Sequence, residues 1–435
     1  MNDLKFNLTE ICAKFKPMNA VNNGPVHNWK RPRYSNLESY KEANIPYARN
    51  HDASFCGSYG SEHTVDITAV FPDFDADPNL PESYDFICTD LYLKTIDAAN
   101  TKTFYRLGNK IEWFPKKYGT KPPKDFKKWA IICEHIIRHY TEGWARGFNY
   151  DIEYWEIWNE PDGADGAAPE DNPTWGGSRE LFFNFYETAA IHLKECFPHL
   201  KIGGPSLSNR VGWAREFLTE MKKRNVPVDF FSWHSYLCEP EEMRRRIHEF
   251  DDLLKETGFP EAESINAEWN YNRGWLDPEF TDNFRVIKGM KGAAFSMACM
   301  TVGQQSPLDM LMYYDARPCT YNGLYNEFLD QLKTYYAYKW YGMFYETTGE
   351  VRSENTVDNI YSLCGCYEDG KALAVITYFT NEEDAPEKEI TVDFGREGKY
   401  EIYLLDEEHD ATLIDATVNL TVTLKPNTCI QIKEI

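Results

Sequence analysis

Apolar residues at Phe126, Trp129, Ile132, Ile136 and Tyr140 recur at a spacing of three to four, which predicts a helix over 126–140 with one buried face, stopped by Gly143. Ser178 is a candidate cap for a second helix carrying Phe182, Phe185, Ala189 and Leu193 inward and ending before Pro198. Further helices are predicted over 212–224, from Pro240 through Met243, Ile247, Phe250 and Leu254 to Gly258, over 283–304, and over 326–344. Between them lie short apolar or β-branched runs: IEYWEIW (152–158), KIGGPSLS (201–208), VDFFSWHSY (228–236), ESINAEW (263–269) and LDMLMYYDA (308–316). Upstream, PMNAVN (17–22), NIPYARNH (44–51) and KTFYRLG (102–108) add three more strand candidates.

Five β/α units from residue 152 to 344, at roughly 31–39 residues each against the ~31 of a (β/α)8 unit, together with the three upstream strand candidates make eight, and predict an α/β fold with a (β/α)8 TIM barrel over residues 10–345. A doubly wound sheet is the alternative, but no glycine-rich dinucleotide fingerprint follows any of these strands. After 345 the texture changes to alternating runs such as NIYSLCGCY, ALAVITYFT and YEIYLLDE, separated by turns at Glu368-Asp369-Gly370 and Arg396-Glu397-Gly398. Residues 346–435 therefore read as a small C-terminal antiparallel β-sandwich domain, with residues 1–9 a candidate addition to it.

Composition narrows the function classes. The chain has 435 residues, 42% hydrophobic and 26% charged, enough to bury a real core. The net charge of −23 repels phosphate backbones, so nucleic acid is not an expected partner, and polyanions are disfavoured unless a local basic groove overrides the field. No run is long and apolar enough for a membrane helix, so no membrane partner is expected. The eleven cysteines are scattered, without a CxxC pair, and suit a reducing compartment. The opening MNDLKFNLTEICAKF has acids at Asp3 and Glu10 and no apolar signal-like stretch, so a cytoplasmic location is expected. Oligomeric state is left open. Aromatic residues make up 15% of the chain, and flat neutral ligands such as sugars stack on Tyr and Trp.

In a barrel the chemistry sits where strands run into their following loops, and two carboxylates have that address. Glu160 follows strand four in YWEIWNEPD, and Glu268 ends strand seven in SINAEW. Paired carboxylates across a cleft are the machinery of glycoside hydrolysis, where one stays protonated and the other ionised. Trp155, Trp158 and Pro161 surround Glu160 in the chain, and desolvation by such neighbours raises a carboxyl pKa, which suits the acid. The two Trp residues are expected to wall the site, and Asn159 to bond a sugar hydroxyl. Glu268 needs a cationic or hydrogen-bonding neighbour, which Arg49 at the end of strand two can supply.

The string WEIWNEPD resembles the strand-four signature of the retaining glycosidases of clan A, most closely glycoside hydrolase family 39, which holds β-xylosidases and α-L-iduronidases. The resemblance runs at motif level from about residue 15 to 345 and reaches into the β-domain. It implies that Asn159 and Glu160 are the Asn-Glu pair whose Glu is the acid/base, and that Glu268 in NAEWN is the nucleophile. It further implies that His234 and Tyr236 in SWHSY form a His-x-Tyr pair at the end of strand six, the Tyr touching the nucleophile and the His lining the sugar subsite. Arg49 and His51 in YARNH match an Arg-x-His pattern. The strand-three end, FYRLGNKIEW, does not follow the xylosidase pattern.

Trp275 and Trp175 lie in loops after strands and could stack on sugar rings or pack against the protein. Trp269 points away from the cleft by alternation. Tyr313, Tyr314 and Asp315 end strand eight, and Tyr314 is the candidate sugar contact. Arg244, Arg245 and Arg246 read as solvated. No His/Asp/Glu cluster has metal-ligand spacing, and no metal or organic cofactor is expected. The expected function is a retaining O-glycoside hydrolase, β-xylosidase-like or a related exo-glycosidase, acting on a carbohydrate substrate. A non-catalytic carbohydrate-binding protein and a transglycosidase with the same residues are the alternatives. Exo or endo action depends on loops 57–82 and 161–177.

Overall fold

A computed structural model of the chain describes residues 4–31, 33–51 and 64–435. Eight parallel strands close a barrel: Ala20–Asn22, Tyr47–Arg49, Lys102–Leu107, Tyr154–Ile157, Lys201–Leu207, Phe230–Leu237, Glu263–Tyr271 and Met310–Tyr313. The first and last strands pair through Ala20 with Met312 and Val21 with Tyr313. All eight fall where the apolar runs place them. Ala20, Phe104, Tyr154, Phe230, Ile265, Ala267, Met310 and Met312 fill the interior. Their neighbours in sequence, such as Val21, Tyr105 and Trp155, point outward into the core beneath the helices.

The helices follow the same logic. Asp125 accepts from Lys128 N at the start of Phe126–Thr141, and the Ser178 hydroxyl accepts from Leu181 N at the start of Arg179–Cys196. Pro240 opens Pro240–Thr257, and Gly258, at φ 89°, ends it. Two expected helices differ. The 283–304 stretch is two helices, Glu279–Lys288 and Met290–Gln304, because Gly289 is extended and a Cβ at Gly292 would collide with the Val286 carbonyl. The last helix is Lys333–Met343 rather than 326–344. Ahead of it the Asn326 side chain accepts from the amides of Phe328 and Asp330, which favours a turn over a helical start.

The C-terminal strands form one large, curled, mainly antiparallel sheet of nine strands around a second apolar interior that includes Ile376, Ile390, Ile402 and Ile430. The N-terminal strand Leu4–Ala13 is inserted in it, antiparallel to Glu350–Asn355 and parallel to Lys388–Asp393. The helix Met290–Gln304 is sandwiched between barrel and sheet. It is therefore buried nearly all round, and Phe295 meets Phe379 of the sheet domain at 5.4 Å. None of the described helices is long and apolar enough to cross a membrane.

Candidate active site

Strand four carries the first carboxylate. Alternation sends Tyr154 and Glu156 into the barrel and Trp155 and Ile157 out. Beyond Ile157 the chain turns sharply, with Trp158 at φ 76° and Glu160 at φ 48°, left-handed conformations that cost a non-glycine residue about 1–2 kcal/mol each. The turn is held by Trp158 N donating to Leu107 O at 2.7 Å and Glu160 N to Ser206 O at 2.8 Å. Buried Asp162 accepts from the amide and hydroxyl of Ser208, tying this loop to the one after strand five.

Strand seven carries the second. Ile265 and Ala267 both face the interior, so strict alternation would turn Glu268 outward. A bulge corrects this: Trp233 pairs with Asn266 but His234 with Glu268, leaving Ala267 as the extra residue. Glu268 then faces the cleft and Trp269 packs outward against Phe295 and Tyr313. One carboxylate oxygen each of Glu160 and Glu268 and one ring nitrogen of His234 lie within 4.8 Å of one another.

Arg49 joins the two. Its Nε donates to Glu156 Oε2 at 2.7 Å, Nη1 to Glu268 Oε1 at 2.7 Å and to Asn22 Oδ1 at 2.9 Å, and Nη2 to Asn159 Oδ1 at 2.7 Å and to Ser206 Oγ at 2.9 Å. All five guanidinium protons are used, on a side chain with no exposure. The Ser206 hydroxyl lies 2.6 Å from His234 Nε2, and His234 Nδ1 lies 2.8 Å from Glu160 Oε1. Burial holds the His234 imidazole below its ordinary pKa, so it is neutral near pH 7. One assignment then satisfies every proton: Arg49 donates to Ser206, Ser206 to Nε2, and Nδ1–H to Glu160.

The Glu268 carboxyl is pushed above its ordinary value by burial, with Arg49 opposing the shift and Glu160 adding to it. Tyr236 donates to Glu268 Oε2 at 3.0 Å, and burial keeps its phenol protonated well beyond the usual range. His51 Nε2 lies 3.6 Å from Glu268 Oε1. Tyr314 stands 6.3 Å from His51 and 6.4 Å from Tyr236, ring to ring. Trp275, 58% exposed, packs edge-on against Tyr236 at 5.3 Å. Arg49, His51, Asn159, Glu160, His234, Tyr236, Glu268, Trp275 and Tyr314 thus gather at one end of the barrel.

Three tryptophans do not. Trp155 and Trp158 do not wall the cleft. Trp155 stacks on Tyr105 because it follows the inward-facing Tyr154 on the strand, and Trp158 packs among Trp129, Trp175 and Phe185 beneath the helices because its left-handed φ of 76° breaks the strand alternation. Trp175 is 2% exposed in that same cluster, its indole N–H bonded to Ser178 O, so it packs rather than stacks on sugar. Of loop 57–82, residues 57–63 lie outside the described residues.

Glu156, Ser206 and Asn22 belong to the network although their motifs did not single them out. Glu156 had a readable signal, since a carboxylate inside the apolar run YWEIW needs a buried cation. Ser206 and Asn22 had none. Two groups of donors could geometrically approach a metal ion among the described residues: Glu160, His234 and Glu268, and, on the outer helices, Glu134, His192 and Cys196. In the first, Arg49 already supplies the positive charge. In the second, Arg138 is bonded to Glu134 at 2.8 Å.

Residues 63–254 match the family model described as glycosyl hydrolases family 39. A β-xylosidase of Geobacillus stearothermophilus is 24% identical over 246 residues, covering 49% of this chain and 46% of that protein. A β-xylosidase of Caldicellulosiruptor saccharolyticus is 29% identical over 141 residues, covering 32% and 25%. The chain spans less than half the length of either relative. Among solved structures, a glucosidase from Croceicoccus marinus superimposes with a TM-score of 0.79 at 21% identity, over 100% of this chain and 98% of that one, a likeness of fold.

Proposed function

We propose, from the premise that this chain is most like family 39 of the clan A glycoside hydrolases, that it is a retaining O-glycoside hydrolase, β-xylosidase-like or a related exo-glycosidase. The observation that carries this reading is the approach of Glu160 and Glu268 oxygens to within 4.8 Å. Retaining enzymes hold their carboxyl groups about 5–5.5 Å apart, whereas inverting ones leave about 6.5–9.5 Å for a water between them.

In this reading Glu268 attacks the anomeric carbon while Glu160 passes its proton to the departing oxygen, and a glycosyl ester forms on Glu268. Glu160, now ionised, takes a proton from the water that attacks the same carbon, and Glu268 leaves with net retention. Arg49 and Tyr236 each donate to a Glu268 oxygen, which favours the ionised nucleophile against its burial. The His234 Nδ1–H bonds Oε1 of Glu160 and so orients the carboxyl that gives its proton to the leaving group. Asn159 gives its oxygen to Arg49 and keeps a buried Nδ2 with no partner among the described residues, a donor available to a sugar hydroxyl beside the scissile bond. Tyr314 and Trp275 border the sugar.

The test is a panel of chromogenic glycosides, with NMR of the first-formed anomer for each hit. The expected result is turnover with the anomer retained. A first-formed inverted anomer rejects the mechanism. Silence on every glycoside together with oligosaccharide binding replaces it with a carbohydrate-binding role, and a predominance of transfer to sugar over water makes the protein a transglycosidase.

The pH profile is a second check. Glu268 acts ionised, so activity falls as the pH drops through its pKa. Because burial raises that pKa, the acidic limb of kcat/KM is expected above the ordinary glutamate value of 4.5. Tyr236→Phe removes a bond made to the ionised form. It is expected to move the limb to still higher pH and to lower kcat/KM about tenfold. A limb that stays in place in the variant argues against this role for Tyr236.

A further inference from the structure

The loop after strand three groups large exposed aromatic side chains. Within six residues it exposes Trp113 at 78%, Phe114 at 64% and Tyr118 at 64%. Single exposed apolar residues need no explanation, but three large aromatics on one short loop at the mouth of the barrel do. The loop is also basic. Between positions 110 and 128 stand seven lysines and two acids, in a chain of net charge −23. Lys116, Lys121 and Lys127 are exposed, and Lys116 Nζ sits 4.8 Å from the centre of the Tyr118 ring.

The loop is nevertheless tied down from within. The buried Glu112 carboxylate accepts from the amides of Tyr118, Gly119 and Thr120 and from the Thr120 hydroxyl, at 2.8–3.2 Å. Lys117 donates to Phe114 O. The aromatic rings are thus presented on a backbone whose turns are already satisfied, which lowers the entropy lost when something lands on them.

Position says which end of a substrate would land there. Glu112 N donates to Pro173 O and Gly176 N to Thr120 O, both at 2.8 Å, so this loop is laced to the one that leaves strand four directly after Glu160. Glu160 protonates the departing oxygen in the proposed reaction, so the leaving group lies on Glu160's side of the cleft. The loop after strand three is bonded to the loop that leaves Glu160, which is the ground for placing it on that side.

We infer that the Trp113–Tyr118 loop is a leaving-group platform for an acidic oligosaccharide: Trp113 and Phe114 stack on sugar rings beyond the scissile bond, while Lys116 and Lys121 meet carboxylate or sulfate groups carried by that chain. This is the local basic surface that overrides the overall negative field. The inference rests on the glycosidase reading, and the test separates the two.

Four substrates with the same glycone, chosen from the panel, are compared: the glycosyl fluoride, which has no leaving-group body, a neutral oligosaccharide, a uronate-substituted one and a sulfated one. The wild-type protein is expected to favour at least one acidic chain over the neutral one about tenfold in kcat/KM at low salt, with the preference shrinking as salt rises. In Lys116→Ala/Lys121→Ala the acidic-to-neutral ratio should fall toward one. In Trp113→Ala/Phe114→Ala the ratio of each oligosaccharide to the fluoride should fall about tenfold, expressed in KM more than kcat. Equal rates on neutral and both acidic chains in the wild type overturn the platform's charge role. An equal loss on fluoride and oligosaccharide in the aromatic variant overturns its stacking role. If the wild type turns over no fluoride, the glycosidase reading itself fails and the platform falls with it.

Discussion

Glu268→Ala should lose turnover on every glycoside by on the order of 10^4-fold or more, since no other carboxylate among the described residues pairs with Glu160 in the cleft to form the covalent intermediate. The variant is expected to fold. Alanine removes a buried carboxylate whose burial already opposes its charge, while Arg49 keeps its bonds to Glu156, Asn22, Asn159 and Ser206. Circular dichroism and a thermal melt check this before any kinetics are read. The vacated space lies beside the Arg49 Nη1 donor, which bonded Glu268 at 2.7 Å, and it suits a small anion. Azide added to the variant, with an aryl glycoside that needs no acid, should restore part of the rate. Attack then comes from the face that Glu268 occupied, without a second displacement, so the product should be a glycosyl azide of inverted configuration. Near-normal hydrolysis by Glu268→Ala rejects Glu268 as nucleophile, and an azide product of retained configuration rejects its placement.

Glu160→Gln should separate the two half-reactions. The amide can still accept the His234 Nδ1–H through its oxygen, so the 2.8 Å contact and the local turn survive. It has no proton to give a departing oxygen and no base to activate water. With alkyl or sugar leaving groups, whose oxygens need that proton, the first step should slow by about 10^2–10^4-fold. With an activated aryl leaving group, glycosylation needs no acid and should be largely spared, and loss of the base makes deglycosylation limiting. The expected signature is a burst of aryl alcohol followed by a slow steady state, with the glycosyl-Glu268 ester visible by mass spectrometry of the intact protein. A uniform loss across good and poor leaving groups, with no burst, contradicts the acid/base role.

The parts of the site that were legible were those where one residue type in one place admits few alternatives. Asn159-Glu160-Pro161 directly after an apolar strand, and Glu268 at the end of another, could be placed because barrel chemistry collects at strand ends. His234, Tyr236, Arg49 and His51 were legible by the same address. Trp155 and Trp158 misled because nearness in sequence is not nearness in space. On a strand the residue one place from an inward Tyr154 faces away from it, which places Trp155, and the left-handed turn at Trp158 breaks the alternation that would have turned it inward, so both indoles serve the core beneath the helices. Trp175 belongs to the same cluster. Glu156 was passed over although it was readable, because an inward carboxylate inside an apolar run needs a buried cation, here Arg49. Helix boundaries were missed at Gly289 and Asn326, where a single glycine or a single side-chain amide outweighs several residues of apolar periodicity.

What the linear order of residues determined by itself is therefore the architecture and the cast. Periodicity and punctuation are local properties, and eight apolar runs alternating with amphipathic helices suffice for a barrel with a sheet domain behind it. What only the tertiary structure decided is how the cast is aimed. The extra residue at Ala267 turns Glu268 into the cleft, and the left-handed turn at Trp158 and Glu160 brings the other carboxylate to meet it. Arg49 finds its five acceptors on strands one, four, five and seven and the turn that follows strand four. The physical reason is that a bulge and a guanidinium network are set by pairing between segments up to 219 residues apart, a coupling that no window of sequence contains.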